Sequence, residues 1–177
     1  MSASKLIRPN IEFKESYIKA LDEFHAENRF LYQNRNHIYA NFEDFVNLLN
    51  TEKKTTHRPF ENWVEPVPET VLWLTKDIEY IGSISIRHRL NWHLEKWGGH
   101  IHFAVRPSMR KKGYGKKIIK KAIPYVNYLG IDKALITIDP ENHSAKKIIE
   151  FFGGKEDETT SKTTQFPSQI KYWLDCT

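Results

Sequence analysis

The sequence of 177 residues contains one cysteine, Cys176. A lone cysteine excludes an intrachain disulfide, and the expectation is a reducing, cytoplasmic setting. Its place next to the last residue argues against a nucleophilic role, because chain ends are generally mobile and exposed. Long apolar runs are also missing. No stretch approaches the roughly 20 residues that a membrane-spanning helix needs, and residues 1–10 lack the apolar centre of a signal peptide. Internal repeats and low-complexity segments are absent, so one domain over residues 1–177 is expected. Acidic residues are missing from one window in particular. Between Arg106 and Lys121 there is none, while Arg106, Arg110, Lys111, Lys112, Lys116, Lys117, Lys120 and Lys121 are all cationic. The chain as a whole carries only +5, so much of its positive excess sits here. That concentration points to a phosphorylated ligand rather than to a general polyanion.

The same window has a readable local architecture. Ile101 to Val105 is apolar and β-prone. Ile118, Ile119, Ala122, Ile123, Val126 and Leu129 then recur at helical spacing. The order is strand, glycine-containing turn, helix. Gly113 and Gly115 leave backbone N–H groups free to face the space before the helix, whose N-terminus adds partial positive charge. A Walker A loop fails here, because Lys117 follows Gly115-Lys116 where Ser or Thr is required and Arg110 stands at the first glycine. A dinucleotide fingerprint fails at Ile118, which occupies the third glycine position. What remains is Arg110-Lys111-Lys112-Gly113-Tyr114-Gly115, an Arg-x-x-Gly-x-Gly turn.

This turn resembles the acyl-coenzyme A loop of the GNAT superfamily of N-acetyltransferases. Ala104-Val105-Arg106-Pro107 is similar to the end of that family's fourth strand. Asp139 to Ala145, followed by Ile148 to Gly154, is similar to its second motif, in which an asparagine opens a helix. The resemblance covers about residues 70 to 155. It implies an α/β (α+β) fold with a central mixed, mostly antiparallel twisted sheet of six or seven strands, helices on both faces, and a splay between strands 4 and 5. It implies acetyl-CoA as co-substrate, an amine as acceptor, and no metal. The cofactor-binding residues it implies are Phe103, Ala104, Val105, Arg110, Lys111, Lys112, Gly113, Tyr114, Gly115, Lys116, Asn142 and Lys146. Asn142 is at the same time a natural helix N-cap.

The rest of the chain fits an α/β arrangement. Lys5 to Arg8 reads as a first strand and Glu12 to Asn28 as an amphipathic helix. Asn41 is placed to cap a second helix over Phe42 to Leu49, and Arg29 to Ala40 has no clear period. Thr51 to Thr70, with Pro59, Trp63, Pro66 and Pro68, reads as a substrate-facing loop. Val71 to Thr75 and Tyr80 to Arg87 read as strands joined by a tight turn. Alternation places Ile81, Ser83, Ser85 and Arg87 on one face and Gly82, Ile84, Ile86 and His88 on the other. His88 to Gly98 is an irregular segment. Pro124 is expected to kink the basic helix, and Gly130 to end it. Lys133 to Asp139 is a strand, Asn142 to Phe152 a helix, Asp157 to Phe166 a hairpin loop and Gln169 to Leu174 a closing strand.

The catalytic groups are less legible. Members of the family often carry a Glu near the start of the fourth strand and a Tyr on the last helix. Gly99 and Ile149 stand at those positions here. His100 and His102, two apart on the same strand face, are the candidate bases, since imidazole titrates near neutrality. Glu69 is a third candidate. His88 and His93 lie near the two histidines in sequence, but no His-Glu-x-x-His or other zinc spacing is present. Two other readings compete: a CoA-binding domain without transfer, and a nucleic-acid-binding module suggested by pI ≈ 9.2. Against the second, no helix-turn-helix, zinc-finger or RNA-binding signature is visible. Oligomeric state is left open, monomer or homodimer.

Overall fold

The computed structural model describes residues 2–51, 66–159 and 169–177. Two antiparallel sheets carry the chain. The first contains β1 (Lys5–Ile7), β2 (Glu69–Lys76), β3 (Glu79–Arg87) and β4 (Ile101–Val105), in that spatial order. The second contains β5 (Lys133–Ile138), β7 (Ile170–Asp175) and β6 (Lys155–Glu156), with β7 in the middle. Between β1 and β2 run α1 (Lys14–Ala26), α2 (Arg35–Ala40) and α3 (Phe42–Leu49). The short α4 (Trp92–Lys96) precedes β4, α5 (Tyr114–Tyr128) follows it, and α6 (His143–Phe151) follows β5. The seven strands and the helices on both faces agree with the architecture that the turn motif implied.

Two apolar clusters explain the layering. Phe13, Tyr17, Ile18 and Leu21 of the α1 segment meet Ile38, Phe42 and Val46 and cover Val71, Trp73 and Tyr80 on one face of the first sheet. Ile118, Ile119, Ala122 and Val126 of α5 cover Leu72, Leu74, Ile84 and Ile86 on the other. The same cluster continues to Ala134, Ile136, Tyr172 and Leu174, so α5 spans both sheets. Each fully buried aliphatic side chain stabilises by about 1.5–3 kcal/mol relative to exposure, which makes these two faces the source of most of the fold's stability.

Several expectations need correction. The β2–β3 register slips between Leu74 and Thr75, leaving Ile81 as an extra residue in β3. That bulge frees Ile81 from strict alternation, and it joins Ile84 and Ile86 in the α5-side core rather than facing the other way with Ser83. Asn41 does not cap α3 with its side chain; its amide instead donates to the His37 carbonyl and closes α2. The segment after His88 is not wholly irregular, since Asn91 caps α4 by accepting from the Leu94 N–H at 2.8 Å. Pro124 lies inside α5, which continues past it to Tyr128 and leaves the expected kink untested. Pro124 is on the exposed side, so the carbonyl that loses its partner can be hydrated. Gly130, at φ 82°, ends the helix, with the Ile131 N–H returning to the Val126 carbonyl. Cys176 is buried, not exposed, and its N–H donates to the Asp132 carbonyl. Trp63 and Pro59 lie outside the described residues, as does most of the expected loop at 157–166.

Candidate functional site

The connection from β4 to α5 is a single 3-10 turn (Pro107–Met109), then Arg110 to Gly113. Lys111 has φ 59° and Gly113 φ 79°, two left-handed residues one apart. The chain therefore curls so that successive N–H groups face outward on one side. Among the described residues, the N–H groups of Lys111, Lys112, Gly113, Tyr114, Gly115 and Lys116 have no hydrogen-bond partner; the first bonded amide is Lys117, to the Gly113 carbonyl at 3.2 Å. A Cβ on Gly113 would meet nothing within 4 Å beyond its chain neighbours. Gly113 holds a left-handed backbone angle, whereas Gly115 lies against α6. A Cβ there would sit 2.6 Å from Ile148 Cδ1 on α6, so the tip of that side chain would have to move. The Lys116 ammonium lies 3.8 Å from the Phe151 ring centroid, and Lys112 Nζ donates to the Ser108 carbonyl.

The other side of this turn is fastened to α1. Arg106 is buried, and its Nε donates to Glu23 at 2.8 Å. Glu23 also accepts from the Ser108 N–H at 2.9 Å and from the Ser108 hydroxyl at 3.0 Å. Burial opposes ionisation of Glu23, but the hydrogen bonds from Ser108 and Arg106 outweigh it and hold the carboxyl below its ordinary range. Arg110, the first residue of the motif, turns both its terminal nitrogens to Glu27, at 2.8 and 2.9 Å, and its Nε to the Val105 carbonyl at 3.3 Å.

Next to the turn, the two sheets part. They touch where Gly99 bridges Ile136. There the His100 N–H donates to the Leu135 carbonyl at 2.7 Å, and the Gly98 N–H to Thr137 Oγ1 at 2.7 Å. Beyond this point, among the described residues, β4 pairs only with β3. Hydrogen bonds from Arg87 to His100 and from Arg106 to Ile81 fix the phase of that ladder. By alternation, the N–H and C=O groups of Ile101, Phe103 and Val105 point away from β3 into the gap, while those of His102 and Ala104 point to β3.

The junction also explains what stands at Gly99. A Cβ there would fall 2.3 Å from the Leu135 carbonyl oxygen, and φ is +61°. A side chain here would force the β4–β5 junction to shift, which disfavours a glutamate base at this position. Ile149, where the family often has its tyrosine, is fully buried in the α5-side core. The two histidines have different surroundings. His100 precedes β4 and is buried; its Nδ1 accepts from the Leu135 N–H at 2.9 Å. Desolvation, with the Arg87 charge, lowers its pKa. His102 is exposed on the α1 side, 6.3 Å from the Phe30 ring and opposite Ser85 in register. The Ser85 hydroxyl is buried with no partner.

On this α1 side a cavity of about 40 Å³ is lined by Tyr17, Phe24, Phe30, Gln33, Tyr80 and Ser83 among others. Burial pushes the Tyr80 phenol up to about 12 and Tyr17 up as well, so both stay neutral donors. Tyr17 donates to Gln33 at 2.9 Å. Phe30 itself has φ 55°, a rare angle for a bulky residue. Glu69 is half-buried at the start of β2 opposite Arg87, two strands from β4, not at a loop end. His88 Nε2 lies 2.7 Å from Thr70 Oγ1, and the described residues contain no group of three metal-ligating side chains. Asn142 caps α6 by accepting from the Ala145 N–H at 3.1 Å, and Lys146 lies one turn on. Glu23 and Glu27 were not singled out from sequence. Nothing local to residues 23 and 27 indicates that they meet residues 106 to 110.

A family model described as the acetyltransferase (GNAT) family matches residues 22–153. Solved structures resemble the chain along nearly its whole length. A chimera of the Vibrio cholerae spermidine N-acetyltransferase SpeG with hSSAT is 13% identical over 99% of this chain and 96% of that one, with a TM-score of 0.63. A GNAT-family acetyltransferase from Staphylococcus aureus is 19% identical over 99% of this chain and 100% of that one, with a TM-score of 0.59. Salmonella typhimurium yncA, solved with acetyl-CoA, is 13% identical over 99% of this chain and 95% of that one, at 0.58. At such identities the likeness is one of fold. Two glutamine–tRNA ligases of Buchnera aphidicola are 36% identical over 56 residues, and the match spans 10% of their length.

Proposed function

The chain belongs to the GNAT family of acetyltransferases, an acyltransferase class, and we propose that it moves an acetyl group from acetyl-CoA to a primary amine of a small molecule or peptide. The row of six open N–H groups at Lys111 to Lys116 carries this reading. It lies at the N-terminus of α5 and opens beside the unpaired edge of β4. In this reading the pyrophosphate sits on those amides, with Lys111, Lys112 and Lys116 supplying charge around Gly113, Tyr114 and Gly115. The pantetheine arm adds itself to the free edge at Phe103 and Val105 like an extra strand. Ala104, whose backbone faces β3, contributes its place in the strand rather than a hydrogen bond. Asn142, its carbonyl oxygen occupied by the cap, offers its NH₂, and Lys146 offers charge from α6.

The reaction is direct attack. The neutral amine nitrogen forms a bond to the thioester carbon, and the carbonyl oxygen becomes an oxyanion. An outward N–H of Ile101 or Phe103 is placed to receive it. The C–S bond then breaks, and the thiolate takes a proton to leave as CoA thiol. A lysine-like amine has a pKa of about 10.4, so removing its proton at pH 7 costs on the order of 4–5 kcal/mol. A base must offset that cost, and we assign the role to His102. His100 serves poorly, since its Nδ1 lone pair is engaged by the Leu135 amide. Glu69 is too far along the sheet from β4.

A CoA-binding domain without transfer is the second reading, favoured by the buried Ile149 at the expected acid position. Calorimetry with CoA, followed by thiol release from acetyl-CoA across a panel of amines, separates the readings. Binding with release for at least one amine is expected. Binding without release for any amine supports the second reading. Stabilisation by DNA or RNA but not by CoA would overturn both.

A further inference from the structure

Glu23 and Glu27 have the wrong sign for residues beside an anion site, yet both bond to the connection that leads into it. They lie four residues apart, hence on one face at the end of α1. Together they make five hydrogen bonds to the β4–α5 connection: Glu23 takes three, from Arg106 and Ser108, and Glu27 takes two, from Arg110. The Arg110 fork is therefore already filled. Its remaining nitrogen reaches back to Val105, so this one side chain ties the end of β4 to the end of α1. A second arginine, Arg29, stands close enough to Arg110 and Glu27 for their charges to act on it. Immediately after Arg110, the fastening stops and the six open amides begin.

We propose that Glu23 and Glu27 are positioning residues for the anion turn: α1 clamps the connection through Arg106, Ser108 and Arg110 so that the amides of Lys111 to Lys116 hold their curl before a ligand arrives. The inference rests on the acetyl-CoA reading and deepens it. Under it, the arginine of the motif acts through Glu27 and does not contact phosphate. The Arg110 and Glu27 side chains are 36% and 39% exposed, so the pair adds little to stability. Its value is geometric, since an ordered turn loses less conformational freedom on binding. α1 also lines the cavity beside His102, so one helix serves both the cofactor turn and the side from which the amine approaches.

The clamp and simple electrostatics give opposite signs for one substitution. Removing a negative charge beside an anion site should tighten binding if Arg110 is released to a phosphate. It should weaken binding if Arg110 serves the clamp. CoA dissociation constants are therefore measured for Glu27→Ala, Arg110→Ala, the double variant and Glu27→Asp, with the melting temperature of each unliganded protein. The expected result is CoA binding roughly tenfold weaker for both single variants, no further loss in the double, and recovery in Glu27→Asp, with melting temperatures little changed. Glu23→Gln should weaken binding in the same direction. Tighter or unchanged binding in Glu27→Ala, while the wild type binds CoA, overturns the clamp and leaves the cofactor reading intact. A wild type that does not bind CoA overturns both.

Discussion

The two sides of β4 are built on different principles. On its free edge and at the turn beyond it, the chain offers main-chain amides and a helix end, all from residues within about a dozen positions of one another. On its α1 side, His102 of β4, Phe30, Ser85 and Tyr80 of β3, and Tyr17 of α1 come from parts of the chain far apart in sequence, and their side chains form the surface. A backbone site recognises a constant chemical group and depends on angles. A side-chain site recognises a variable one and depends on which elements happen to meet.

Substitutions on each side should break different quantities. His102→Ala should give the largest effect, a fall in kcat of about 100-fold or more with an unchanged CoA dissociation constant, measured by thiol release. A parallel loss of CoA affinity would show that the two sides are not separable. Gly113→Val tests the backbone side. At φ +79° a β-branched residue carries strain of roughly 1–3 kcal/mol or moves the turn, so CoA affinity should drop by about 10- to 100-fold in a titration. Gly99→Ala sharpens the contrast at the junction. Its Cβ would meet the Leu135 carbonyl, and thermal melting should report a loss of about 1–3 kcal/mol even without ligand.

The smallest effect concerns His100. Its folded pKa is lowered, so its neutral form is favoured in the native state. The stability this contributes is complete above the unfolded pKa of about 6.5 and is lost as pH falls through that value towards the folded one. His100→Asn keeps an acceptor for the Leu135 amide and removes the titration. Its melting temperature should therefore fall less than that of the wild type between pH 7 and pH 5.5. Equal slopes would place the acid sensitivity elsewhere.

Residues near in sequence were the legible ones. The strand, the turn, α5 and its Gly130 stop follow from periodicity and glycine chemistry, which act over a few positions. The α6 cap at Asn142 was readable for the same reason. The Ile81 bulge was not, because it comes from how β3 registers on β2. Nor were the different surroundings of His100 and His102, which depend on Leu135 of β5 meeting one ring and Phe30 approaching the other.

The amino-acid order alone determined that a glycine-containing turn with open amides precedes α5, because backbone angles and helix ends are local properties. The tertiary structure decided the rest: that Arg110 is held by Glu27, that a side chain at Gly99 would force the β4–β5 junction to shift, and that His102 faces α1 while His100 is sealed against β5. Each of these depends on atoms far apart in the chain being brought within bonding distance, and only the packing of the sheets and α1 fixes those distances.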